Sequence, residues 1–328
     1  MAADLKDKVV VITGASSGIG RAAAQAFARA GARLVLAARS EPALEIAALE
    51  CVQAGGEAIP APCDVGDAES VLHVAETARQ RFGRIDVWIN DAGVHLLGRI
   101  DEVPLEDFRQ VIEVNLMGTV HGCRAALPVF RSQGAGVLIN IGSMAGTVGQ
   151  PYASAYVASK WAVRGLSEAL RTEVMDQPGI HVCTVLPPSI DTPLFQHAAN
   201  YAGRAVQPMP PVYSPEQVAD TIVAVARRPV REAFIGMGRV VAAMHAVAPG
   251  ATERMMSRAA SRRHFQRRAS GPSHGNLYTP QLDAVHGGWG DSESHTARNV
   301  ALVAAGIAVA VPLGIYAWRR IQQRAEYV

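Results

Sequence analysis

Two features of the sequence predict an α/β fold built on a doubly wound parallel sheet. Short β-branched runs alternate with longer helical stretches along the first 190 residues, and a glycine cluster follows the first run directly. Successive strand–helix units of this kind bury a sheet between helices and impose right-handed crossovers. A chain of 328 residues is long enough for one large domain with an appendage.

The first strand is expected over Lys8–Thr13, where Val9, Val10, Val11 and Ile12 make a buried run. It feeds the turn Gly14-Ala15-Ser16-Ser17-Gly18-Ile19-Gly20 and then an Ala-rich helix, Arg21–Ala30. Strand, glycine turn and helix bring free backbone N–H groups and a helix dipole to one point, which suits a pyrophosphate. The spacing is G-x-x-x-G-x-G, not the G-x-G-x-x-G of the usual dinucleotide fingerprint. The second strand, Arg33–Ala38, ends where an acid would bind an NAD ribose hydroxyl. Arg39 and Ser40 stand there instead, and Arg39 could grip a 2′-phosphate with two bonds. Glu41 precedes Pro42 and opens the next helix. This pattern favours NADP over NAD.

The alternation continues through helix Glu41–Ala54, strand Glu57–Pro62, helix Asp67–Phe82 and strand Ile85–Ile89. A long helix through Phe108–Pro128 carries Asn115, and strand Val137–Ile141 leads into Gly142 and Ser143. Helix Ala153–Met175 and strands His181–Leu186 and Glu232–Gly236 complete the sheet. Ligands of open parallel sheets lie beyond the carboxyl ends of the strands. Asp64-Val65, Asn90-Asp91-Ala92-Gly93 and Pro187–Thr192 all fall at such ends.

Tyr156 and Lys160 stand four apart on a predicted helix and therefore share a face. A free Tyr titrates near pKa ~10. A Lys ammonium about 4 Å away is worth ~4 kcal/mol at an effective dielectric of ~20, enough to bring a phenol near neutral pH. General acid–base catalysis is most effective there, and Ser143 would hold the same substrate oxygen. The pair alone reads more readily as an amphipathic surface helix; its neighbours decide for catalysis.

Taken in order over residues 8–236, these motifs resemble the short-chain dehydrogenase/reductase family, in its branch built on a single Rossmann-like domain. They are Thr13 to Gly20, Asp64-Val65, Asn90 to Gly93, Asn115, Ser143, Tyr156-x-x-x-Lys160 and Pro187 to Thr192. The resemblance implies that Tyr156 is the acid/base, that Lys160 lowers its pKa and holds the nicotinamide ribose, and that Ser143 orients the substrate. Asn115 would hold the helix backbone and a water linked to Lys160, completing a catalytic set of Asn115, Ser143, Tyr156 and Lys160. Cofactor contacts are expected from Gly14, Ser16, Ser17, Gly18, Ile19, Gly20, Arg39, Asp64, Val65, Asn90, Ala92, Gly93, Tyr156, Lys160, Ile190 and Thr192. Ile190 and Thr192 would face the nicotinamide amide. Homodimers or homotetramers are usual in the family. Two departures stand out. Asp91 replaces a common Asn, a pure acceptor for an amide, on a side chain expected to brace the sheet. Pro188 replaces the usual Gly, removing one N–H.

The formal charge of +2 excludes a whole-chain field for nucleic acid. Cys51, Cys63, Cys123 and Cys183 lie far apart without His at ligand spacing, so reduced thiols and no metal site are expected. Met1–Lys8 is polar, without the apolar run of a secretory signal. Pro193–Tyr213 falls where the family's substrate lid lies. Its Leu194, Phe195, His197, Tyr201, Met209 and Tyr213, with Leu96, Leu97, Met144 and Val148, predict a cleft for a hydrophobic alcohol or carbonyl compound.

The catalytic domain is expected over residues 1–250, ending in the apolar helix Arg239–Val247. Residues 251–298 are read as a linker that begins with a basic helix, Glu253–Arg268, suited to a membrane surface or to solvent. Asn299–Trp318 carries no charge for twenty residues, enough to cross ~30 Å of hydrocarbon as a helix. A basic tail, 319–328, follows. The expectation is a membrane-tethered, NADP-preferring oxidoreductase with its catalytic domain on the cytoplasmic side. The rival is a membrane-anchored NADP-binding sensor or scaffold with little turnover, which has no need of all four catalytic residues.

Overall fold

In a computed structural model, residues 4–281 and 284–290 are described. Seven parallel strands form one sheet: β1 (Val9–Thr13), β2 (Arg33–Ala38), β3 (Glu57–Pro62), β4 (Val87–Asn90), β5 (Gly136–Ile141), β6 (Ile180–Leu186) and β7 (Glu232–Phe234). Their order is β7-β6-β5-β4-β1-β2-β3. The chain winds outward in one direction from β1 and then in the other from β4, which opens a crevice between these two strands at their carboxyl ends. Thr13 lies opposite both Ala37 and Asn90 across that switch point.

Helices cover both faces, so the central strands can be apolar throughout. On one face α1 (Gly18–Arg29), α2 (Glu41–Gln53) and α7 (Pro215–Arg227) close a core around Phe27, Leu44 and Ile222. On the other, α3 (Ala68–Phe82), α5 (Gly118–Gln133) and α6 (Ser154–Glu173) close a core around Trp88, Val74 and Phe130.

Three elements differ from the sequence reading. Helix α1 starts at Gly18, three residues early, because the glycines let it seat directly on the turn: a Cβ at Gly20 would lie 2.3 Å from the Gly14 carbonyl oxygen. The long central helix is broken. Helix α4 (Leu105–Ile112) passes through a π-helical turn, Glu113–Met117, before α5 begins. Finally, α8 (Gly238–Val247) and α9 (Pro249–Arg263) are helical, but the basic helix stops at Arg263. Arg267 and Arg268 lie on the strand Phe265–Ala269, which pairs antiparallel with Arg204–Val206 of the lid. The free edge of that lid strand takes residues 265–269 out of the helix.

The compact unit that contains the sheet runs to Trp289. Among the described residues no helix is long and apolar enough to cross a membrane. The segment 299–318 and the basic tail 319–328 lie outside the described residues.

Candidate active site

The four expected catalytic residues meet at the carboxyl ends of β4 and β5. Ser143 follows β5 and heads a short 3-10 turn, Met144–Gly146, its Oγ accepting from the Ala145 amide at 3.1 Å. Gly146 lets that turn touch α6, since a Cβ there would stand 2.6 Å from the Lys160 carbonyl oxygen. Tyr156 rises from the first turns of α6, its phenol beside Ser143. Lys160 Nζ donates to the Ile141 carbonyl at 2.9 Å and lies 5.7 Å from the Tyr156 ring centre.

Asn115 occupies the π-helical turn and is fully buried. Its Oδ1 accepts from the Val94 amide (2.8 Å), while Nδ2 donates to the Val94 carbonyl (3.0 Å) and to Ser159 Oγ (3.0 Å). Ser159 in turn donates to the Tyr156 carbonyl at 2.7 Å. One amide therefore ties the loop after β4 to the helix that carries Tyr156 and Lys160.

The electrostatics differ from the sequence expectation. The Tyr156 ring keeps some exposure, yet the dense packing around its phenol pushes the group up to about 12. The neighbouring Ser143 hydroxyl works against that rise and the Asp91 charge adds to it. Lys160 does not bring the phenol down in this state. Its ammonium is held by the Ile141 carbonyl and is itself pushed below the ordinary lysine range by burial, with Asp91 opposing. Asp91 does more than brace the sheet. Its carboxylate lies against the start of α1, where a Cβ on Gly20 would stand 2.8 Å from Oδ2, and burial raises its carboxyl while Lys160 holds it down. A carboxylate only accepts, so near the first N–H groups of α1 it suits their orphan donors, as an Asn could also do through its oxygen.

The crevice is shaped by close backbone approach. Gly14 has φ +75°, and a Cβ there would stand 2.7 Å from the Ala92 nitrogen. Thr13 Oγ1 accepts from the Asp91 and Ala92 amides at 3.2 and 3.3 Å, fixing the turn that brings Gly93 beside Asn115 and Lys160. Ser17 precedes α1 with no side-chain cap bond, the Ser16 carbonyl accepts from Arg21 at 3.4 Å, and Ile19 packs on the α1 core. Thr192 packs against Gly18, and its amide donates to the Ile190 carbonyl at 2.9 Å. Arg39 donates to the carbonyls of Asn276 (2.7 Å) and Leu277 (3.0 Å), while the neighbouring Asp64 charge partly offsets its desolvation. Val65 is buried, closing the floor near β3.

The Asn90 side chain turns away from the crevice. Its Oδ1 accepts from Trp88 Nε1 (2.8 Å) and its Nδ2 donates to Asn140 Oδ1 (2.9 Å), bracing β4 against β5. The pleat turns this residue toward α5, where only Gly122 leaves room for it: a Cβ there would stand 1.9 Å from Asn90 Oδ1.

Several residues on the substrate side were not read from the sequence. His95 stacks on the Tyr156 ring with centroids 4.2 Å apart, and Phe195 lies 5.8 Å from His95. Burial pushes His95 down to about 3 and His264 to about 4, so both are neutral at ordinary pH. His264 is locked between the Gln207 carbonyl (2.6 Å) and Gln150 Nε2 (2.9 Å). Leu97, Val206 and Phe265 close an apolar cluster with Phe195 and Tyr152 beside it. His95 follows Gly93 by two residues, so its position was available; His264 arrives through the 204–206 to 265–269 pairing, which has no local signal. Among the predicted lining residues, Tyr201 bonds Asp107 (2.5 Å), and Tyr213 and Met144 pack under Gly236 and Gly238.

Comparison with known proteins places this geometry. The family model for short chain dehydrogenases matches residues 8–201. The uncharacterized oxidoreductase YxnA of Bacillus subtilis is 36% identical over 329 residues, covering 96% of this chain and 90% of its own. Among solved structures, the alcohol dehydrogenase of Thermococcus sibiricus, complexed with 5-hydroxy-NADP, is 34% identical. It matches with a TM-score of 0.60 over 70% of this chain and 95% of its own. A short chain dehydrogenase/reductase from Burkholderia phymatum, in complex with NAD, is 28% identical with a TM-score of 0.67 over 77% and 96%.

Proposed function

The chain belongs to the short-chain dehydrogenase family, and from that premise we propose an NADP-preferring enzyme that interconverts a hydrophobic alcohol and its ketone or aldehyde, with Tyr156 as acid/base. One observation carries the chemistry: the fold brings the Tyr156 phenol beside Ser143, with Lys160 Nζ 5.7 Å from its ring. A nicotinamide dinucleotide fits the residues present. Gly14 and Gly20 leave no space for side chains, and the Gly18 amide and the Arg39 guanidinium both aim donors at acceptor oxygens. Gly18 would hold the pyrophosphate, Arg39 a 2′-phosphate, Lys160 the nicotinamide ribose, and Ile190 and Thr192 the amide. When bound, the nicotinamide supplies the hydride to the carbonyl carbon or takes it up from the alcohol.

The protein moves the proton. A phenol pushed up to about 12 is protonated at neutral pH, the correct state for donating to a carbonyl oxygen during reduction. Ser143 holds the same oxygen. Neutral His95, stacked on the ring, fixes the phenol's direction without adding charge. In the reverse direction Tyr156 must first lose its proton, and the Asp91 charge opposes that.

Asp91→Asn should therefore make the tyrosinate easier to form and move the acid limb of alcohol oxidation to lower pH. The limb staying in place, or moving to higher pH, would remove Asp91 from the electrostatics of Tyr156.

The twenty uncharged residues 299–318 support a tether, and the exposed Arg254, Arg258 and Arg262 of α9, with Met255 among them, support contact with anionic lipid. The reading includes a single C-terminal span, a catalytic domain facing the cytoplasm, and a homodimer or homotetramer. One assay series tests both function and tether: NADPH oxidation with ketones and aldehydes from short to long-chain, free or in vesicles. Truncation after Ser294 should keep kcat on short carbonyls and lose vesicle-borne long-chain substrates, because a tether raises local concentration without new contacts. Release of the full-length protein by carbonate extraction would end the tether. No turnover on any carbonyl or alcohol would leave a binding module.

A further inference from the structure

The chain after the lid returns to the crevice and engages it at three separate points. Arg39 donates to the Asn276 and Leu277 carbonyls. The Gly18 amide, at the glycine turn, donates to the Ala284 carbonyl at 3.2 Å. Asp191 Oδ1 accepts from the amides of Gly287 (3.1 Å) and Trp289 (2.7 Å), and a Cβ on Gly287 would stand 2.4 Å from the Thr192 carbonyl oxygen. Between these points, Leu277 is fully buried in the core cluster that includes Val65, Val111 and Val114, and Gln110 Nε2 donates to its carbonyl at 3.3 Å. Val285 packs on the opposite cluster. Asp107, fully buried at the start of α4, latches the first part of this segment by accepting from His274 (2.9 Å) and Tyr278 (2.9 Å).

We propose that residues 273–281 and 284–289 form an intramolecular strap that occupies the dinucleotide crevice and must leave it when the cofactor binds. The proposal rests on the oxidoreductase reading above. The same groups serve both ligands: an amide N–H that donates to Ala284 does not at the same time donate to a phosphate, and neither does a guanidinium edge filled by two carbonyls. Binding is then diluted by the fraction of molecules whose strap is out, since the apparent Kd is the intrinsic Kd divided by that fraction. A phosphate also draws Arg39 more strongly than neutral carbonyls do, because its bonds are charge-assisted. A 2′-phosphorylated dinucleotide therefore displaces the strap more readily than one without that group.

The test uses the full-length protein. Amide hydrogen exchange is followed with and without saturating NADP+, and NADP+ affinity is measured by calorimetry on wild type, Leu277→Ser and Gly287→Ala. The serine weakens the buried anchor. The alanine methyl has no room against Thr192 in the docked strap. Saturation should strip protection from the Gly287 and Trp289 amides of the wild type, and both variants should bind NADP+ about tenfold more tightly if the strap is out in about a tenth of wild-type molecules. Protection unchanged at saturation, or affinity equal or weaker in both variants, overturns the strap. The wild-type exchange measurement stands even if a variant fails to fold. Absence of any dinucleotide binding by all three proteins overturns the oxidoreductase reading and the strap with it; binding with protection intact overturns the strap alone.

Discussion

Tyr156→Phe should lower kcat by roughly 10²–10⁴-fold, the range a positioned general acid supplies, with dinucleotide affinity little changed. The substitution removes one oxygen and keeps the ring. The 4.2 Å stack on His95 remains, and Lys160 keeps its bond to the Ile141 carbonyl, because neither depends on the hydroxyl. What is lost is the proton donor beside Ser143, whose hydroxyl would hold the same substrate oxygen. A variant that kept more than a few per cent of wild-type kcat in carbonyl reduction, with binding intact, would refute the proton-transfer role. The sensor reading predicts no such contrast, since a binding module has no turnover to lose.

The sheet was legible because parallel strands buried on both faces read as short apolar runs, and β1 is buried along its whole length. Ser143, Tyr156, Lys160 and Asn115 were legible from their order, and the fold brings all four together. Their electrostatics were not legible. Helical spacing places Tyr156 and Lys160 on one face, but the Lys160 ammonium turns to the Ile141 carbonyl on a neighbouring strand, a contact that spacing along α6 does not encode. The direction of the Asn90 side chain was likewise not legible, since it depends on the pleat and on Gly122 opposite. The strap and His264 lay furthest from reach. Both arrive through pairings between distant segments, and residues 269–298 carry no periodicity that foretells them. Strand and helix patterns report local burial, whereas these contacts join segments far apart in the chain.

Arg39→Ala should raise the KM for NADPH by about 10- to 100-fold relative to that for NADH. A bond to a charged partner is worth roughly 1.5–3 kcal/mol, and 1.4 kcal/mol is a factor of ten. Only NADPH carries the 2′-phosphate that would form such bonds. The structure complicates the absolute values, because Arg39 also grips the strap at Asn276 and Leu277. Removing the guanidinium therefore frees the crevice for either dinucleotide, and the KM for NADH should hold or fall. Asp64 adds to the contrast: its charge sits close enough to act on Arg39, and without the arginine it is left facing an incoming phosphate. The two effects separate in the ratio, since strap release helps both cofactors while loss of the phosphate ligand harms one. Steady-state KM for both cofactors, measured on the same carbonyl substrate, decides the matter. Equal changes for NADPH and NADH would show that Arg39 holds only the strap, and the preference for NADP would lose its basis in this residue.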